Sequence, residues 1–288
     1  MNKNSIKEII SSTTRYNLHS HTQFCDGHAP MEDMAAAAFN EGMLHWGFSP
    51  HSPICIESPC NMSRDDMKPY LAEAARLREI YQGRMNVLPA LEIDFLSADF
   101  GPHIDYFQRL PLDYRIGSVH FVPNQEGVPL DCDGSFERFQ RYLRDGYAGD
   151  LRYVTEKYFE QVLTMLERGG FDILGHFDKI AGNAAQADPS IEEQGWYEAL
   201  VDDVVSHSVA AGVTVEINTK AIHDRGRFFP SRRWWEKLVA AGVPLAVNSD
   251  AHWPEKTNLG RDEALAEIEN VRKRFAGVSL PPAVPSGE

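Results

Sequence analysis

Leu245-Ala246-Val247-Asn248-Ser249-Asp250-Ala251-His252 decides how the rest of the chain is read. A short apolar run passes directly into an aspartate and a histidine set one residue apart, and in extended backbone a period of two puts both side chains on the same side. Near the other end of the sequence, Asn17-Leu18-His19-Ser20-His21 has the same form, with two imidazoles. Between them, Ala90-Leu91-Glu92-Ile93-Asp94, Ile116-Gly117-Ser118-Val119-His120 and Ile173-Leu174-Gly175-His176-Phe177-Asp178 each carry apolar or small residues into a carboxylate or a histidine. His51 follows a sixth such run at 44–48. Each piece is weak alone: His-x-His is more often a surface or core pair, and a single Glu92 more often a solvated strand end. Together they share one structural register. In a parallel α/β barrel the C-terminal ends of all strands converge on one face, so residues from opposite ends of the sequence meet in one pocket.

Short apolar runs alternate with longer helical patterns throughout, without an internal repeat or a low-complexity linker. That alternation predicts βα units around a parallel sheet. Strands are expected at 16–18, 44–48, 86–93, 115–119, 172–175, 213–217 and 245–247, and helices at about 31–41, 64–82, 135–146, 151–169, 191–211, 231–241 and 262–275. Ser63 with Asp66 reads as a capping box, and Gly212 and Gly242 as C-cap glycines. The aromatic stripe of Tyr153, Tyr158 and Phe159 with Val162, Leu163 and Leu166 reads as core packing. One domain over 1–288 is expected, with its core at about 16–275 and a loose tail at 277–288.

Lys and Arg number 28 against 42 Asp and Glu, a net charge of −14, which lacks the basic footprint of nucleic-acid and anionic-membrane binders. No apolar run approaches the roughly 20 residues of a membrane span, and residues 1–16 contain no apolar signal core, so a soluble cytoplasmic chain is expected. Cys25, Cys55, Cys60 and Cys132 include no Cys-x-x-Cys pair and are expected to be reduced.

The ordered set His19-x-His21, Asp26, His51, Glu92, His120, His176 and Asp250-x-His252 resembles the polymerase and histidinol phosphatase (PHP) family, and most closely its histidinol-phosphate phosphatases, over about residues 16–275. The resemblance implies an α/β fold, a distorted TIM-like (β/α)7 barrel, with three divalent metal ions at the C-terminal ends of the strands. His19, His21, Glu92 and Asp250 would hold the first ion, and Glu92 would bridge to a second held by His120 and His176. Asp26, His51 and His252 would hold the third. Imidazoles and carboxylates suit Zn, Mn or Fe without choosing among them. The sequence departs from the family pattern in two places. Ser49-Pro50 precedes His51 where relatives commonly carry Thr-Asp, which removes a carboxylate that would orient the ring. Phe24-Cys25-Asp26-Gly27-His28 offers either Asp26 or His28 to the third ion, with Asp26 favoured.

The activity implied is hydrolysis of a small-molecule phosphate ester, L-histidinol phosphate, to L-histidinol and phosphate in histidine biosynthesis. A hydroxide bridging two ions would be the nucleophile, and Glu92 and Asp250 the catalytic positions. Phosphate calls for cations or donors nearby, and Lys179, Arg225 and Arg227 follow strands five and six. His28 is a candidate phosphate contact or proton donor, and Asn218 a candidate to orient a ligand; each reads equally well as a structural or solvated side chain. Loop carboxylates Asp94, Asp131 and Glu57 offer partners for the substrate's ammonium group. Phe228-Phe229 and Trp234-Trp235 wall a pocket or, more usually, pack helix on barrel.

Three other readings compete. A PHP phosphoesterase acting on nucleotides or short oligonucleotides conflicts with the −14 charge and the lack of a basic stripe. An amidohydrolase would carry a lysine at the end of strand four, where none stands. A non-enzymatic metal-binding scaffold leaves nine ligands without substrate chemistry. No oligomeric state follows from the sequence.

Overall fold

All seven expected strands form, and nearly every residue in them is buried, as a parallel sheet covered on both faces requires. The computed structural model describes residues 4–276, so the tail expected at 277–288 lies outside the described residues. The strands are β1 (Tyr16–Asn17), β2 (His45–Phe48), β3 (Asn86–Asp94), β4 (Tyr114–Ser118), β5 (Phe121–Pro123), β6 (Pro129–Asp131), β7 (Ile173–Leu174), β8 (Thr214–Asn218) and β9 (Leu245–Asn248). Seven of them make one parallel sheet in the order β1-β2-β3-β4-β7-β8-β9, while β5 and β6 pair as a separate antiparallel hairpin.

The sheet curls until its ends meet. Only an isolated bridge, Ser20 to Ala251, joins the first and last strands, with His21 N donating to the Ala251 carbonyl at 2.9 Å. Side chains complete the seam: Asn248 Oδ1 accepts from Leu18 N at 2.9 Å, and Asn17 Oδ1 accepts from Ser249 N at 3.1 Å. The result is a distorted, TIM-like (β/α)7 barrel. Its interior is filled by Tyr16, Leu18, Leu88, Ala90, Tyr114, Ile116, Ile173 and Ala246. Tyr114 reaches across it to donate to the Leu18 carbonyl at 2.5 Å. Gly47 permits this reach, since a Cβ there would lie 1.8 Å from the Tyr114 hydroxyl oxygen.

Helices Met31–Asn40, Met67–Ile80, Leu151–Arg168, Gly195–Ala211, Trp235–Ala240 and Arg261–Ala276 lie where the periodicity places them. Residues 191–193 and 232–234, expected within α-helices, are instead 3₁₀ turns. Ser63 and Asp66 exchange hydrogen bonds as a capping box does, and Gly212 ends its helix at φ 63°. Tyr158, Phe159, Val162, Leu166, Phe228, Trp234 and Trp235 all join the largest apolar cluster, the packing role favoured for both aromatic stretches. The hairpin and the helix Asn4–Ser12, neither expected, add to this plan. Ile6 and Ile9 of that helix extend the barrel's interior cluster. No described helix is long and apolar enough to cross a membrane.

Candidate metal centre

Because the barrel strands run parallel, the residues that end them collect at one mouth, with Glu92 at the centre. Glu92 Oε2 lies 3.2 Å from His19 Nε2, 3.5 Å from His21 Nε2 and 3.1 Å from His51 Nδ1. Its other oxygen lies 2.9 Å from His176 Nε2 and 3.5 Å from His120 Nε2. Asp250 Oδ1 faces His21 Nε2 at 3.0 Å and His19 Nε2 at 3.8 Å. Asp26 Oδ1 is 3.5 Å from His21 Nδ1, 3.9 Å from His51 Nε2 and 3.4 Å from His252 Nε2. All nine residues of the ordered set therefore meet in one place, and between the two candidates at 26 and 28 it is Asp26 that faces the histidines. The backbone makes local concessions here. Asp250 adopts φ 50°, a left-handed conformation that non-glycine residues seldom hold outside constrained sites. Gly27 lets the turn after His21 fold tightly, since a Cβ would lie 2.2 Å from Thr22 N.

These donors fit divalent cations. His21, Asp26, His51 and His252 form one group with ligand atoms within 4.8 Å of one another; His19, His21 and Asp250 form a second, and His51, Glu92 and His120 a third. Asp26 Oδ1 and Asp250 Oδ1 are buried yet accept no hydrogen bond from a described residue, an arrangement that is costly unless a cation takes the lone pairs. Burial would raise the Glu92 pKa, but His19, His51, His120 and His176 hold it well below the usual range. Burial acts likewise on Asp250, and Lys220 and His19 lead the groups that keep it ionised. Two histidines are braced from behind. His19 Nδ1 lies 2.7 Å from Glu216 Oε1, and His120 Nδ1 lies 2.7 Å from Asp94 Oδ1. Each brace turns Nε2 of its ring towards Glu92.

A cavity of about 810 Å³ opens above this mouth, between the loop 56–61 and the β5–β6 hairpin. Lys179, Lys220 and Arg138 line it, as do Glu57, Asp94, Asp131 and Asp133. Lys179 is nearly fully buried, with Nζ 3.4 Å from Asp133 Oδ2 and 4.0 Å from Asp250 Oδ2. Burial lowers its pKa, but Asp133 and Asp250 raise it beyond the ordinary value and keep it cationic. The other candidates for phosphate lie elsewhere. The loop after β8 doubles back, Asn218 N donating to the Phe229 carbonyl at 2.7 Å, and this carries Arg225 and Arg227 away from the cavity. Arg225 is exposed on the short helix Ile222–Arg225, and Arg227 pairs with Glu192 at 3.0 Å. Asn218 Nδ2 is occupied, donating to Asp250 Oδ2 at 3.0 Å and Glu216 Oε2 at 3.2 Å. His28 stacks on Trp253 with 3.9 Å between ring centroids and does not line the cavity. Of the carboxylates considered for an ammonium group, Asp94 serves His120 and Asp131 pairs with Arg138 at 3.1 Å.

Residues 17–220 match the PHP domain family. The chain belongs to the PHP family. This PHP chain is 26% identical over 257 residues to the "Probable histidinol-phosphatase" of Schizosaccharomyces pombe, covering 84% of this chain and 81% of that protein. Its fold is similar to that of a Listeria monocytogenes protein bearing a histidinol phosphatase name, at TM-score 0.78 and 17% identity over 86% of this chain and 99% of the other. It is also similar to the Lactococcus lactis histidinol phosphate phosphatase, whose crystal structure contains Zn, L-histidinol and phosphate, at TM-score 0.69 and 17% identity over 90% and 94%.

Three residues of the PHP chain's centre escaped the sequence, and a fourth, Asp94, reads there only as a partner for an ammonium group. Glu216 sits inside an apolar strand, where the buried-barrel context, not the local pattern, gives it a partner. Lys220 and Asp133 lie in loops whose paths set their direction. Asp94 is visible in the sequence beside Glu92, but its duty to His120 depends on the neighbouring strand.

Proposed function

We propose that this PHP chain hydrolyses L-histidinol phosphate to L-histidinol and inorganic phosphate, with three divalent cations, Zn, Mn or Fe, held by the nine strand-end residues. The observation that carries this reading is the convergence of six imidazoles and three carboxylates on one mouth beneath a cavity sized for a small phosphate ester. The histidinol-phosphatase names of its relatives supply the substrate.

His19, His21, Glu92 and Asp250 would hold one cation, and Glu92 with His120 and His176 a second. Asp26, His51 and His252 would hold the third, with His21 also in reach of Asp26. Cations bound there supply Lewis acidity towards a phosphoryl oxygen and acidify water near neutral pH. The chain's own residues supply the rest. Glu216 and Asp94 fix the direction of His19 and His120, and Asn218 fixes Asp250. Lys179 places a buried positive charge beside Asp250, where it neutralises developing phosphate charge. The hairpin and the loop 56–61 wall the cavity. The carboxylates along these walls suit a cationic leaving group and repel a polyanion, which disfavours an oligonucleotide substrate.

The test is phosphate release from L-histidinol phosphate with Mn or Zn added, beside an aryl phosphate and a short oligonucleotide at equal concentration. A kcat/KM of about 10⁴ M⁻¹s⁻¹ or more for L-histidinol phosphate, well above the other two, supports the reading. Preference for either comparison substrate overturns it.

A further inference from the structure

Lys220 lies on the loop after β8 and reaches the centre from the cavity side. His252 Nδ1 is 2.9 Å from the Asp250 carbonyl oxygen, so Nδ1 carries the proton and Nε2 presents a bare lone pair. That Nε2 lies 3.4 Å from Asp26 Oδ1, and His252 belongs to the group formed with His21, Asp26 and His51. The Lys220 ammonium sits 3.1 Å from the same Nε2 and 3.6 Å from Asp250 Oδ2. An imidazole nitrogen has one lone pair; it accepts one ammonium proton or binds one cation, never both. The lysine has room to leave, because its side chain is 38% exposed and lines the cavity.

From this juxtaposition we infer that Lys220 is an internal competitor for the third cation: its ammonium caps His252 Nε2 in the ion-free chain, and a cation entering among Asp26, His51 and His252 displaces it into the cavity to bind phosphate. The inference rests on the metal-centre reading above and is independent of which ester is cleaved. Two consequences follow from the geometry. The third position fills last, because an entering cation must break an existing contact and approach a like charge. Filling it also presents a second ammonium, beside Lys179, to a phosphoryl group, so loading and phosphate affinity rise together.

The experiment titrates the chelator-stripped full chain with Mn²⁺, with a competing chelator of known affinity, for wild type, Lys220→Met and Lys220→Ala. Methionine keeps most of the apolar stem and alanine removes it, so misfolding of one variant leaves the other as the test. Each folded variant is expected to bind one ion tenfold or more tightly, with smaller changes at the other positions, since Lys220 also lies 3.6 Å from Asp250 Oδ2. The Mn²⁺-loaded variants are expected to bind inorganic phosphate, followed by calorimetry, at least tenfold more weakly than wild type. Ion affinities equal to or below wild type, or an unchanged phosphate affinity, overturns the inference. A wild type that binds no Mn²⁺ removes the centre and the inference together. Normal ion binding without turnover of L-histidinol phosphate refutes only the substrate.

Discussion

Glu216 Oε1 and His19 Nδ1 lie 2.7 Å apart with both side chains fully buried, and the same carboxylate accepts from His176 N at 3.1 Å and Asn248 Nδ2 at 2.9 Å. One side chain thus fixes groups at the C-terminal ends of β1, β7 and β9. It also accounts for the state of His19: burial lowers the imidazole's pKa, but Glu216, Glu92 and Asp250 lift it well above its ordinary value. Glu216→Gln keeps the shape and removes the charge. It is expected to weaken metal binding about 10- to 100-fold, the usual effect of losing the group behind a metal-ligating histidine. Metal retained after dialysis against a graded chelator series measures this.

Glu92 lies within 3.5 Å of five of the six histidines at the mouth, so Glu92→Gln is expected to lower kcat by about 10³-fold or more and to reduce bound metal, while circular dichroism stays that of the folded barrel. Asp250→Asn should act in the same direction. Full activity in either variant removes that residue from the centre.

Gly27→Ala places a methyl group 2.2 Å from Thr22 N and must open the turn that aims Asp26. The expected result is the loss of one ion per chain with the others retained, read by metal analysis of the purified variant. Unchanged stoichiometry shows that the turn does not set Asp26's position.

Metal removal should cost stability as well as activity. Glu92, Asp250 and Asp26 are held as carboxylates in a confined space, and any group that binds only the folded chain stabilises it. Exhaustive chelation is expected to lower Tm by several degrees, with recovery on adding Zn or Mn, followed by calorimetry.

Arg261, though 1% exposed, does not line the cavity and donates to the Val247 and Thr14 carbonyls and to Asn258 Oδ1. Arg261→Met leaves the buried Val247 carbonyl without this donor, at a cost of about 1–3 kcal/mol, while the Thr14 and Asn258 acceptors are only partly buried and can turn to water. A loss of about 1–3 kcal/mol in urea unfolding, at unchanged m-value, is expected.

The strand positions and the nine converging residues were legible because a barrel turns a linear feature, a polar residue just past an apolar run, into a shared location. Residues whose role depends on a second strand were not. Glu216 between Val215 and Ile217 has the alternation of a half-exposed strand, and only closure of the barrel buries it. Arg225 and Arg227 followed a strand in sequence, but the pairing of Asn218 with Phe229 folds their loop outward. The helix Asn4–Ser12 was hidden in a polar segment whose only apolar signal is the spacing of Ile6, Ile9 and Ile10. The β5–β6 hairpin has three-residue strands bordered by Pro123 and Pro129, too short for a period to emerge.

The seam between the first and last strands, closed by one bridge and a few side chains, separates the two halves of the ligand set. His19 and His21 leave the ribosome some 230 residues before Asp250 and His252. A nascent chain therefore carries an unfinished centre while the residues between them are made. Ion capture and the closing of the seam belong to the same event, and a product truncated before β9 lacks both.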